Sequence, residues 1–356
     1  MASKKTSPLA SLNFHSPWDE KTDPIWPCSS FNLRRNIEGY LFPHKLTKAR
    51  AQKLLKALQT SLLSASELQN PYYVSSESLS LEEKHTLFEH FLWKKPLRGS
   101  DLRYGFVLED TSRFIAQLNL QDHLKLQLIN VDGMWAEAWN LLEQIEGHVQ
   151  ETLPFAFNSD YGYITSDLLQ SGCALEVIAY LHLPALLRSP RWSDCLAALK
   201  KKRIQASGLF TFNTYPGDFV LLSNASSLSI SETTLLQTLH ETAFDLSLKE
   251  RQQRLLIQRA KPVKFQDQIS RTLGLFNHAK QLSTLEALNA LSQMKLGIDL
   301  GWVEGLYDET INSLMLSVQK AHLKIPEPSI KKKTKLISQI RAEYLQNKLK
   351  HVHLTL

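Results

Sequence analysis

GYITSDLLQSGCALEVIAYLHLPAL, residues 162–186, joins a glycine-led segment to the longest apolar run of the chain, Cys173 to Leu187. Glu176, His182 and Pro184 interrupt that run, so it does not read as a bilayer-spanning helix. Around it lie 356 residues, enough for two domains that each bury a core. With 43% hydrophobic and 21% charged residues, the composition is that of a soluble globular protein. The N-terminus, MASKKTSPLAS, has lysines with no apolar core behind them and does not read as a signal peptide. Cys28, Cys173 and Cys195 are widely spaced and form no metal-ligand pattern, which reads as reduced thiols in a cytoplasm.

The net charge of +6 is concentrated locally, in Lys200 to Arg203 and in Lys331, Lys332, Lys333 and Lys335. Such clusters serve either as patches for nucleic acid or an acidic partner, or simply as solvated helix faces and linkers. No aromatic interleaving or zinc-knuckle spacing supports nucleic-acid binding.

In chain order, residues 1–24 are polar, with proline breakers, and read as a flexible arm. A helix is expected over Lys48–Leu63, N-capped by Thr47, with Ala51, Leu54, Leu55, Leu58 and Leu62 on one face. A second helical pattern covers Leu81–Trp93. Strand signals then run from Tyr104 to Val131, with Leu124, Leu126 and Leu128 alternating with Lys125 and Gln127. Helices are expected over Met134–Val149 and Trp192–Lys201, and strands over Leu209–Thr214 and Phe219–Leu222. Ser229 with Glu232 reads as a capping box opening a helix to about Arg254. His240-Glu241 begins a zinc-protease motif, but Phe244 stands where its second histidine belongs. Asp122–His123 invites a hydrolase reading, yet no G-x-S-x-G nucleophile elbow occurs, so the pair reads as a strand-turn feature. Past Pro262 the composition is helical.

The 162–186 stretch resembles the centre of the phosphagen kinases (ATP:guanido phosphotransferases), most closely their bacterial protein-arginine kinase branch. That branch reads GYLTSCPTN, then LRAS, then a strand ending HLPAL. Gly162, Tyr163, Thr165, Ser166, Gly172, Leu175 and His182 to Leu186 fit. CSSFNLRRNIEGYLFP, residues 28–43, is similar to SSRVRLARNLEGFPFP, and NLQDHLKLQ, residues 119–127, to NEEDHLRIQ. His90 matches a histidine that the family places near the adenine. Gly217, Ser223 and Asn224 fit the end of the specificity loop, RGxYGEGSEAxGN, and the segment after it. LSQMKLGIDLG, residues 291–301, is close to LSDVRLGIDLG of the C-terminal helical domain that marks the protein-arginine kinase branch. The branch's phosphoarginine-reading R-D-x-x-R-A aligns across Lys332–Ile337, where neither its acid nor its second arginine survives.

The resemblance implies an α+β fold: a large antiparallel sheet flanked by helices, then a C-terminal helical domain. Residues 25–258 would form the catalytic-type domain, with a small helical N-terminal part to about residue 95, and residues 259–356 the helical domain. It places the catalytic glutamates on Leu120 and Gln121 and the active-site cysteine on Asp167. Its nucleotide-holding positions fall on Cys28, Ser29, Ser30, Phe31, Asn32, His90 and Lys125. They continue through Glu176, Val177, Ile178, Ala179 and Tyr180, then Ala206, Ser207, Gly208, Leu209, Phe210 and Thr211. The five arginines of the family thus become Ser30, Asn32, Lys125, Glu176 and Ala206. Phosphoryl transfer to a guanidinium rests on positioning and on pre-aimed cations, and a weakly nucleophilic guanidinium needs a carboxylate to orient it and take its proton. With those groups replaced, the expectation is a degenerate kinase acting as scaffold or adaptor, with no cofactor and no metal. Two escape routes stay open: Asp167 as base, and Lys200–Arg203 as a phosphate-binding cluster. Either would make the chain a live Mg-ATP-dependent protein-arginine kinase. The resemblance further implies a homodimer and a Clp-type unfoldase or kinase-activator protein as partner.

Overall fold

The computed structural model describes residues 8, 9, 12, 17–93, 103–210, 214–324 and 336–355. Strand β1 (Cys28–Arg35) is followed by α1 (Lys48–Leu63), β2 (Tyr72–Ser75), α2 (Leu81–His90), β3 (Gly105–Leu108), β4 (Phe114–Leu118), β5 (Leu124–Asn130) and α3 (Trp135–Thr152). A hairpin, β6 (Phe157–Asn158) and β7 (Gly162–Tyr163), leads into β8 (Leu175–His182), α4 (Pro184–Leu187), α5 (Trp192–Lys201), β9 (Ile204–Ser207) and β10 (Phe219–Asn224). The remainder is α6 (Glu232–Ala260), α7 (Val263–His278), α8 (Thr284–Asp299), β11 (Val303–Glu304), α9 (Asp308–Ser317), α10 (Ile337–Lys348) and β12 (His353–Leu354).

Among the described residues, eight strands form one sheet in the order β2-β3-β4-β5-β1-β8-β10-β9, with every neighbouring pair antiparallel. Successive side chains on a strand point to opposite faces, so each strand feeds two cores. Phe31, Leu33, Leu126, Val177, Ala179 and Leu222 pack on one side with Leu54 and Leu58 of α1, Leu142 and Ile145 of α3, and Leu239 and Ala243 of α6. On the other side Cys28, Ile129, Ile178, Tyr180 and Leu221 share a core with Leu288, Leu291 and Met294 of α8 and Met315 of α9. The C-terminal helices therefore roof the second face of the sheet.

Local signals explain most boundaries. Thr47 caps α1 by accepting the Arg50 amide, and full capping boxes open α2 at Ser80/Glu83 and α8 at Ser283/Glu286. The expected box at Ser229 is corrected. Ser229 sits at φ +59, and it is Ser231 whose side chain accepts the Thr234 amide. The strand expected over Leu209–Thr214 is also displaced: the pairing strand is Ile204–Ser207, while Leu209 and Phe210 bend away from it, and residues 211–213 lie outside the described residues. In the segment expected to be a flexible arm, Leu9, Leu12 and Trp18 are buried in the second core. The expected domain boundary at residues 258/259 falls inside α6, which continues to Ala260.

Candidate functional site

The central three strands, β5-β1-β8, place a row of polar side chains on the roofed face. Register sets Asn32 between Gln127 and Glu176, and Arg34 opposite Lys125. These groups bond to one another. The Asn32 amide donates to Ser30 Oγ at 3.1 Å and to the Glu176 carbonyl at 3.3 Å, and Gln127 Nε2 donates to Ser30 Oγ at 3.0 Å. Arg34 Nη2 meets Glu176 Oε2 at 3.3 Å, both side chains largely out of solvent. Arg34 is a cation that the alignment with the family's arginines passed over. Strand alternation from Ser30 and Asn32 was the signal that could have found it.

The turn after α2 closes over this row. Gln127 Nε2 donates to the Phe91 carbonyl at 2.7 Å, Trp93 Nε1 donates to Gln127 Oε1 at 2.5 Å, and the Tyr180 hydroxyl donates to the Leu92 carbonyl at 3.2 Å. Leu92 holds φ +53, a left-handed conformation that tight closure demands of a residue ill suited to it. His90 lies fully buried against Ser112, with its ring stacked on His322, and burial pushes its pKa down to about 3. Burial likewise pushes the Cys28 thiol up.

On the acceptor side, Leu120 is packed against the second core, while Gln121 and Asp167 are exposed. Asp122 Oδ1 accepts from the Ser166 amide at 2.7 Å, which brings the 120–122 turn beside Asp167. The Asp167 carboxylate accepts the Leu169 amide at 3.1 Å, capping a short 3-10 turn. Asp122 and His123 are both structural. Asn36 Nδ2 donates to Asp122 Oδ1, the Ile37 amide donates to His123 Nδ1, and His123 Nε2 donates to the Leu41 carbonyl. His240 packs on Trp26 and Trp135, with ring centres at 5.2 and 5.1 Å.

Several positions that the resemblance assigned to nucleotide lie elsewhere. Phe31, Val177 and Ala179 face the opposite core, and Ser29 Oγ accepts Nε1 of both Trp26 and Trp135 there. Ala206 pairs with Leu222 and turns to that same side. Ser207 and Gly208 are buried, Leu209 packs against the second core, Phe210 is exposed, and Thr211 lies outside the described residues. Lys200–Arg203 end α5, whose Cys195 and Leu199 belong to the core opposite the polar row. The cluster leads into β9, the edge strand two places from β8 in the sheet, and so lies away from the row. Lys331 to Lys335 lie outside the described residues, as does most of Lys332–Ile337. Helix α10 opens with ISQIRA, residues 337–342, just beyond that alignment. Arg341 is buried and donates to the carbonyls of Val318 and Leu282.

HLPAL and LSQMKLGIDLG, far apart in sequence, meet here in space. His182 Nε2 contacts Ser292 Oγ at 2.8 Å, and Arg254 donates to the His182 carbonyl and to Asp299 Oδ2 at 2.8 and 3.1 Å. Glu250 accepts Arg254 Nε and also the Ala185 and Leu186 amides at the start of α4. Burial pushes the Glu250 carboxyl up against the pull of Arg254. This buried polar joint fastens the C-terminal helices to the sheet.

A cavity of about 60 Å³ lined by Trp18, Cys28, Leu92, Tyr180, Phe219 and Leu288 lies at the Tyr180–Leu92 contact, and one of about 310 Å³ is lined by Trp26, Ser29, Asp132 and Arg251. Small-molecule sites ordinarily measure several hundred Å³. Among the described residues no group of three or more His, Cys, Asp or Glu could hold a metal, and no helix is long and apolar enough to cross a membrane.

The sequence model of the ATP:guanido phosphotransferase C-terminal catalytic domain matches residues 51–253, and that of the protein-arginine kinase McsB C-terminal domain matches residues 262–355. A protein-arginine kinase of Chlamydia pneumoniae is 30% identical over 330 residues, 92% of each chain. One from Desulforamulus reducens is 29% identical over 318 residues, covering 87% of this chain and 89% of the relative. Among solved structures, lombricine kinase aligns with a TM-score of 0.56 at 19% identity over 67% of this chain and 70% of its own. The substrate-free duplicated taurocyamine kinase from Schistosoma mansoni aligns at 0.56 and 18% identity over 79% of this chain and 45% of its own. At these identities the structures establish the fold alone: an antiparallel sheet flanked by helices.

Proposed function

This chain belongs to the ATP:guanido phosphotransferase family, in its protein-arginine kinase branch, and on that premise we propose that it is a catalytically degenerate member whose retained fold works as a scaffold or adaptor in protein quality control. One observation carries the reading. The row of side chains that includes the positions the resemblance gives to the nucleotide is bonded to itself, with Glu176 paired to Arg34 where the resemblance puts a phosphate-gripping arginine. Pre-aimed cations do most of the work of phosphoryl transfer, and a carboxylate in that place repels phosphate oxygens. The acceptor side supports the same reading, because Leu120 cannot take a proton, Gln121 is neutral, and the Asp167 carboxylate caps a turn. The Trp93–Gln127 contact within the row supports the same reading, since it fills space that Mg-ATP would need there.

A specific observation favours a second reading. Arg34 and Lys125 are paired in register on the roofed face, so two cations stand there where alignment alone counted one. If Arg34 exchanged Glu176 for a phosphate, a rearranged kinase using Mg-ATP would result. The homodimer, a Clp-type unfoldase or activator partner, and cytoplasmic residence belong to the proposal through the resemblance.

Calorimetric titration with Mg-ATP, beside an active family member as control, separates the two. Heat in the control and none here is the expected result. Saturable binding here in the millimolar range or tighter would overturn the degenerate reading.

A further inference from the structure

Among the described residues, strand β9 ends the large sheet and no strand pairs with its outer edge. The Ala225 amide donates to the Arg203 carbonyl at 3.0 Å, which fixes the phase of the antiparallel ladder: Arg203, Gln205 and Ser207 direct their backbone groups toward β10. Ile204 and Ala206 therefore turn their N–H and C=O outward, where among the described residues they meet no hydrogen-bonding partner. The Ile204 side chain is 6% exposed in the core beneath, so this edge is held rigid.

Natural edge strands are commonly guarded by a charge, a proline or a bulge within the strand. IQAS, residues 204–207, carries none of them. Its charge lies just ahead of it: Lys200, Lys201, Lys202 and Arg203 are all exposed. Lys202 Nζ donates to Thr242 Oγ1 at 3.2 Å, whereas Lys200, Lys201 and Arg203 form no ion pair among the described residues. Leu196 on α5 and Phe210 just past the strand are exposed apolar side chains, 38% and 48% accessible.

We propose that the outer edge of β9 docks an extended acidic segment of a partner protein. That segment adds a strand through the backbone of Ile204 and Ala206 and sets its carboxylates against Lys200, Lys201 and Arg203. Backbone pairing supplies affinity for any extended chain, and the basic run selects an acidic one. The partner is a protein, since a nucleic acid would use the charge and leave the edge unpaired.

The test uses the full-length protein and a fluorescent peptide of alternating glutamate and valine, followed by anisotropy. A second peptide of the same sequence is N-methylated at alternate residues, so that it keeps its charge and loses its donors on one edge. The expected result is saturable binding of the first peptide, weakened about tenfold or more both by N-methylation and by the combined Lys200→Glu, Lys201→Glu, Arg203→Glu variant. A lysine–valine peptide should not bind. Absence of binding by the glutamate–valine peptide overturns the proposal. So does equal binding of the N-methylated peptide, or equally tight binding of a single-stranded oligonucleotide, because either would reduce the site to a polyanion patch.

Discussion

At the scale of the residue, several motif positions that this chain keeps serve to hold its backbone. Asn36, Asp122 and His123 tie β1 to the 120–123 turn, and Asn224 accepts the Val177 amide while donating to the Leu175 carbonyl. Gly172 sits at φ +95, and a Cβ there would lie 2.4 Å from the Ser227 carbonyl oxygen, so only glycine fits. Each of these residues touches protein, so each has a structural reason to be kept whatever the pocket binds. Arg254 allows a direct check. Its guanidinium is 3% exposed and faces a Glu250 carboxylate that is fully buried. Arg254→Leu would strand that charge and is expected to cost about 3–5 kcal/mol in urea unfolding. A loss below about 1 kcal/mol would mean the joint contributes little.

At the scale of the element, periodicity located the long helices well, and capping chemistry located some of their ends. The beginning of α6 is where that chemistry misled. Ser229 has Glu232 three residues on, as a capping box asks, whereas Ser231 has only Thr234 there, so the sequence signal favoured the earlier serine. Ser229 adopts a left-handed conformation, which leaves Ser231 in the extended geometry of an N-cap. Ser231→Ala is expected to lower stability by about 1 kcal/mol in thermal or urea unfolding, and Ser229→Ala by much less. The reverse order of effects would reinstate the earlier cap. Strand β9 was missed for a related reason: IQAS is short, half-buried and weakly alternating, and it exists because β10 offers it a ladder.

At the scale of the whole molecule, the sheet and the C-terminal helices are not separate bodies sharing a linker. Ile178, Tyr180 and Leu221 of the sheet lie in one core with Leu291, Met294 and Met315. Removing residues 262–355 would uncover that face, so the fragment 1–261 is expected to lose cooperative unfolding and to bind a hydrophobic dye. A sharp two-state transition in the fragment would show that the sheet stands alone. The same burial governs pH response. His90 and His182 are fully buried and neutral, their pKa values held below the ordinary 6.5 by desolvation, that of His90 at about 3. The unfolded chain takes up these protons first. Stability is therefore complete above about pH 6.5 and declines as pH falls toward 3, by about 1.4 kcal/mol per pH unit for each such histidine. Urea midpoints at pH 7 and pH 5 should differ accordingly, with the lower at pH 5, and identical midpoints would contradict the burial of these rings.

Sequence by itself determined the family, the class of fold with its C-terminal helices, and the position of several helices and strands. These are legible because glycines in tight approaches, capping side chains and motif order are local constraints, written into consecutive residues. Only the tertiary structure decided which side of the sheet each residue serves. It moved Ser29, Phe31, Val177, Ala179 and Ala206 away from the polar row, brought Arg34 into it, and closed it with Trp93. It also joined HLPAL to LSQMKLGIDLG through His182 and Ser292. The reason is that a strand alternates its side chains with a period of two, so the facing of every residue depends on register with neighbours distant in sequence, and register is fixed only when the strands pair.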